Sequence, residues 1–207
     1  MQKASRAITL LFVAVIIAGI VFIMMPDRPT EKSASASSSL INMSPLTLTS
    51  SSFKSGEMIP SKYTCDADNI NPPLSISGIP EGTVSIALIM DDPDIPKEVK
   101  DARNIEEFDH WAVYNISPEL TDIKEGVEPE GKSVLNGMGE TGYIGPCPPP
   151  EYEPTEHRYF FKLFALDSML NFDTEPTKSE LLEALEGHIL SQTELVGIYD
   201  RSNSAIE

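Results

Sequence analysis

Residues able to do chemistry fall in three short polar segments, far apart in this 207-residue chain. These are Asp91-Asp92-Pro93-Asp94-Ile95-Pro96, His110-Trp111, and a run from Gly142-Tyr143-Ile144-Gly145-Pro146-Cys147-Pro148-Pro149 to His157-Arg158-Tyr159. The chain has three histidines, and two of them sit here. Such a set can hold a small anion. Two imidazoles and backbone N–H groups near Gly145 supply donors, while Asp92 can fix a histidine tautomer or bind a ligand ammonium. No nucleophile stands beside a base at a recognisable motif, so the set orients an anion more readily than it performs a reaction. A metal-dependent hydrolase built on Asp92, His110 and His157 is the weaker alternative, a two-histidine, one-carboxylate site. Neither metal nor cofactor is otherwise called for. His157 and Tyr159, two apart at a strand start, share one face, which sends Arg158 to the other as an ion-pair partner for an acid such as Asp94.

Each segment lies at the edge of an apolar, strand-like run, where a rigid sheet can present loop residues to a ligand. Leu46 and Leu48 alternate with Thr47 and Thr49, and residues 83–90 are nearly continuously apolar, as expected of a central strand covered on both faces. Residues 111–116, 159–166 and 195–199 predict three more strands. Thr177 with Glu180 fits a capping box, and Leu181, Leu185 and Ile189 recur at helical spacing, predicting a helix through Leu190 that carries His188 as an exposed or satisfied side chain. A second short helix is expected over residues 97–108. The fold class is mainly β, an antiparallel sheet domain with one or two peripheral helices. Residues 125–156 are rich in Gly and Pro without sustained periodicity; 127–139 read as a surface excursion. Residues 143–149 read as a shaped turn whose Gly145, with Gly142, lets a ligand approach the main chain.

The ends of the chain add an address. Lys3 and Arg6 precede an uncharged apolar stretch over residues 7–25 (AITLLFVAVIIAGIVFIMM), and about 20 such residues in helix cross a bilayer core. An uncleaved anchor with a cytoplasmic N-terminus is expected, leaving the main domain extracytoplasmic. The organisation is then anchor 1–29, Ser/Ala-rich tether 30–44 and one domain 45–207. Formal net charge is -17. Without a basic cluster, such a chain repels nucleic acid and anionic headgroups at long range, which excludes a nucleic-acid partner. An oligomer is compatible with the sequence. Cys65 and Cys147 are the two cysteines. An extracytoplasmic location permits a disulfide between them, adding on the order of 4 kcal/mol; two separate buried thiols are the alternative.

Taken jointly and in order, the three segments resemble the phosphatidylethanolamine-binding protein family, and more narrowly its bacterial and archaeal branch of Raf kinase inhibitor-like proteins. Phe53-Lys54-Ser55-Gly56-Glu57-Met58-Ile59-Pro60, Tyr63-Thr64-Cys65-Asp66 and Asn71-Pro72-Pro73-Leu74 are similar to that branch as well. The resemblance implies a large antiparallel sheet packed with a smaller sheet and helices, with an anion pocket at one end. It places Asp92, Asp94, Pro96, His110, Tyr143, Gly145, Pro146, Pro148, His157 and Tyr159 at that pocket. It also implies a cis peptide before Pro96. The function so implied is non-enzymatic binding of small phosphate-, carboxylate- or headgroup-like ligands. Inhibition or scaffolding of another protein, such as an extracytoplasmic protease, is the alternative that the family's inhibitory members imply.

Overall fold

The computed structural model describes residues 44–201. The expected anchor and nearly all of the tether lie outside the described residues; among the described residues no helix is long and apolar enough to cross a membrane. The chain order is β1 (Thr47–Ser50), a 3-10 turn (Ser61–Tyr63), β2 (Leu74–Ser77), β3 (Ser85–Asp92), α1 (Lys97–Arg103), β4 (Phe108–Ile116), β5 (Asp122–Ile123), β6 (Lys132–Ser133), β7 (Glu156–Leu166), α2 (Lys178–Leu185) and β8 (Ile189–Asp200). A five-stranded antiparallel sheet runs β6-β4-β3-β7-β8, and a three-stranded one runs β1-β2-β5.

Strand β3 is buried at all eight positions, Ser85 and the two aspartates included. Its alternate side chains go to opposite layers, as the period of two requires. Ile86, Leu88 and Met90 pack with Trp111, Phe161 and the small-sheet residues Leu48, Leu74 and Ile76. Ala87 and Ile89 pack instead with Leu166, Leu181 and Leu185, the last two from α2. The large sheet is thus covered by the small sheet on one face and by α2 on the other. The mainly β architecture expected from the sequence is present.

Several local expectations are corrected. Helix α2 has its capping box, with Thr177 N–H donating to Glu180 Oε2 at 2.7 Å and Glu180 N–H to Thr177 Oγ1 at 3.2 Å. It stops at Leu185 rather than Leu190, because Gly187 turns the chain at φ +81° and sends Ile189 into β8. His188 therefore lies in that turn, its Nδ1 2.8 Å from Asp167 Oδ1. Helix α1 ends at Arg103, where Asn104 adopts the left-handed conformation. Residues 127–139 are not a loose excursion: β6 pairs with β4, Val134 is buried, and its N–H donates to Ala112 O. The cis X-Pro bond among the described residues is Glu153-Pro154, not the one before Pro96. The 92–96 turn is instead closed by Asp94 N–H donating to the Asp92 carboxylate at 2.8 Å, and Pro96 leads directly into α1.

Candidate functional site

The acidic turn splits by strand alternation. Asp91, buried, faces the α2 side of the sheet, where it ion-pairs with Lys178 of α2 and, at 2.7 Å, with Lys162 of β7. Lys178 also contacts Glu107 and, at 2.7 Å, Asp109. The carboxylates of Asp91, Glu107 and Asp109 come close enough to suit a cation. The Lys178 ammonium already lies among them; burial, the largest single influence, lowers its pKa, but Asp91 and Asp109 together outweigh it and hold the pKa above the ordinary lysine value. This cluster fastens α2 to the sheet.

Asp92 faces the other way, into a cavity of about 510 Å³ at the end of the large sheet. A β-bulge brings His110 to it. Met90 pairs with Trp111 but Asp91 pairs with Asp109, which leaves His110 as the extra residue of β4. A bulged residue is re-aimed out of the regular alternation. His157, near the start of β7, reaches the same carboxylate: its Nδ1 lies 2.7 Å from Asp92 Oδ2, and His110 Nε2 lies 4.0 Å from that oxygen. All three side chains are almost fully buried. The structure therefore brings both imidazoles and the acid together.

The remaining expected residues divide. Pro96, Gly145 and Pro148 line the cavity with Asp92, His110 and His157. Tyr143, Pro146, Tyr159 and Asp94 do not. Tyr143 turns into the core, its hydroxyl donating to Tyr63 O at 2.8 Å and its ring edge-on to Trp111. Tyr159 backs the imidazoles, 5.2 Å from the His110 ring and 6.4 Å from the His157 ring. Burial pushes both phenols well above the ordinary tyrosine range. Pro146 O accepts from Cys65 N–H. Asp94 grips Arg158 through Nε and Nη2, both at 2.7 Å, the pairing that alternation along β7 predicts.

Gly145 has a different task from the one expected. A Cβ on it would stand 2.3 Å from Tyr63 O and 2.8 Å from Asn69 Oδ1, so the close approach it permits is to the chain itself rather than to a ligand. Its N–H is spent on Asn69 Oδ1 at 2.8 Å. Beside it the Cys65–Cys147 disulfide is formed, and both cysteines line the cavity.

Sequence reasoning missed the apolar wall. Ile95, Val99, Phe108 and Ile144 line it, with Arg103 also bordering the cavity. The signal was present: Pro96, Val99 and Arg103 are spaced as one face of a helix. An apolar hollow of this size with a few convergent polar groups has the form of a small-molecule site. His157 offers a metal little. Its Nδ1 faces Asp92 and its Nε2 faces Pro154 O at 3.0 Å, so both ring nitrogens are engaged with acceptors.

A two-sheet β fold with such a hollow at one sheet end is an architecture consistent with ligand binding. The phosphatidylethanolamine-binding protein family model matches residues 49–200, and the chain belongs to that family. A UPF0098 protein of Methanothermobacter thermautotrophicus is 43% identical over 162 residues, covering 75% of this chain and 99% of its own length. One from Chlamydia muridarum is 44% identical over 154 residues, covering 74% of this chain and 98% of its own. Among solved structures, the phosphatidylethanolamine-binding protein homologue CT736 of Chlamydia trachomatis superimposes with a TM-score of 0.69 at 41% identity, over 76% of this chain and 98% of that one. Escherichia coli YbcL, described as a member of the mammalian family, gives 0.64 at 27% identity, over 76% of this chain and 99% of that one.

Proposed function

We propose that this protein is a membrane-anchored, non-enzymatic binding protein whose cavity takes a small ligand with a phosphate- or carboxylate-type head. The head lies at the Asp92, His110 and His157 end, and any apolar portion lies against Ile95, Val99, Phe108 and Ile144. One observation carries this reading: a cavity with a largely apolar wall has a buried imidazole-carboxylate cluster at its end. A buried polar cluster of this kind is costly unless it is satisfied or has a binding task. The engaged His157 nitrogens, and a lining whose two cysteines are tied in a disulfide and which has no Ser, Thr or Lys among the described residues, favour binding over hydrolysis.

Equilibrium dialysis of the full chain in nanodiscs against radiolabelled inorganic phosphate tests this. Saturable binding is expected, lost in the His110→Ala/His157→Ala double variant while its far-UV circular dichroism stays that of the parent. Binding that persists in the double variant would place the ligand elsewhere, and no saturable binding would end the proposal.

A further inference from the structure

The polar end of the cavity presents an acceptor, not the donors that an anion ordinarily needs. Asp92 Oδ2 is already engaged by His157 Nδ1, and Asp92 Oδ1 takes Asp94 N–H. The Gly145 N–H goes to Asn69. His110 Nδ1 lies 2.7 Å from Ile144 O, and a carbonyl can only accept, so Nδ1 carries the hydrogen. In the neutral ring Nε2 is then a lone pair. Asp92 Oδ2, 4.0 Å away, is beyond hydrogen-bond reach and is in any case another acceptor.

Resting on the binding role proposed above, we propose that the site selects oxyanion heads that bring their own proton. Monoprotonated phosphate, a phosphate monoester monoanion or a protonated carboxyl qualifies; a fully ionised oxyanion of the same shape does not. The ligand O–H donates to His110 Nε2. A fully ionised head would set oxygen lone pairs against that nitrogen and against the Asp92 carboxylate, and a buried acceptor facing an acceptor is unfavourable.

The surroundings of His110 keep it in the accepting state. Burial, the largest influence, lowers its pKa below the ordinary histidine value and outweighs the opposing pull of Asp92. From β3, Asp92 and the more distant Asp91 favour its charged form, and His157 from β7 disfavours it. Tyr159 of β7 and Phe108 of its own strand contribute uncharged ring edges. Arg103 of α1 and Glu140 line the same cavity with opposite charges.

Inorganic phosphate and sulfate separate the alternatives, because near pH 8 both are dianions of similar size and only phosphate retains an O–H. Calorimetry on the full chain in nanodiscs should give phosphate an affinity at least about tenfold higher than sulfate near pH 8, the scale of a mismatched hydrogen-bond partner. As pH falls through the ordinary histidine range towards the lowered pKa of His110, the gap should narrow. Sulfate binding should then be accompanied by proton uptake, read from the dependence of the heat on buffer ionisation enthalpy. His110→Phe should abolish the preference. Equal affinities near pH 8 with no proton uptake would overturn the proton selectivity and leave the binding role standing. Saturable binding of neither anion would overturn both.

Discussion

Asp94 shows how one side chain can be legible in sequence as to partner yet misplaced as to role. Alternation along β7 puts Arg158 on the face opposite His157, and the Asp94 carboxylate meets it through two 2.7 Å hydrogen bonds. These bonds hold the Asp94 carboxyl below the usual carboxylate range, with burial opposing. A folded-state pKa below the unfolded one means the pair stabilises the fold above the unfolded value of about 3.9 and stops doing so as pH falls through the folded value. The Arg158 side chain is 55% exposed, so solvent screening limits the contribution to about 1 kcal/mol. Asp94→Asn is therefore expected to lower unfolding free energy by about 1 kcal/mol near neutral pH, with the gap to wild type shrinking in acid. Urea denaturation at several pH values reads this directly, and a gap that grows in acid would contradict the pairing. Gly145 is the opposite case. Its N–H partner, Asn69, is 76 residues away, and no local pattern marks an amide as already spent.

Elements were legible where burial sets the pattern and not where the backbone does. The β3 run announces a strand covered on both sides, and the Thr177 and Glu180 pair announces the start of α2. Helical spacing carries on past Leu185 through Ile189, so only the positive φ of Gly187 reveals that the helix has stopped. Strand β8 is longer than its apolar part, because its first half is largely exposed and lacks the alternation that would have shown it. The His110 bulge was invisible for a related reason: a one-residue insertion shows only against the partner strand. The turn at residues 143–149 depends on one such backbone requirement. Gly145→Ala would drive a Cβ into Tyr63 O and Asn69 Oδ1, displacing the loop and breaking the Asn69 and Cys65 hydrogen bonds. A loss of about 2 to 3 kcal/mol is expected in urea, together with weakened phosphate binding, since Gly145, Cys147 and Pro148 form the cavity wall. A variant as stable as wild type would show that the loop yields without cost.

At the scale of the whole molecule the walls of the cavity come from chain segments that have no local reason to meet. The 61–69 stretch precedes the sheet core, the 143–149 turn follows β6, and the carboxylate and imidazoles come from β3, β4 and β7. The Cys65–Cys147 bridge joins the first two across a separation of 82 residues. In the chain-entropy picture a loop of that length, 82 residues, removes about 4.5 kcal/mol of unfolded-state freedom, a large share of an ordinary domain's stability. The bridge thus acts first on the unfolded chain. Neighbouring contacts support the same junction in the folded state: Cys65 N–H donates to Pro146 O, and Arg201, ion-paired with Asp66, approaches Cys147 Sγ at 3.6 Å. The Cys65→Ser/Cys147→Ser variant should therefore keep the fold, with unchanged far-UV circular dichroism, but unfold at lower urea with a deficit of about 4 kcal/mol. Reductant should bring the wild-type protein to the same midpoint as the variant. If reductant left the wild-type midpoint unmoved, the two sulfurs would be unpaired in solution, and the junction would rest on its hydrogen bonds and packing alone.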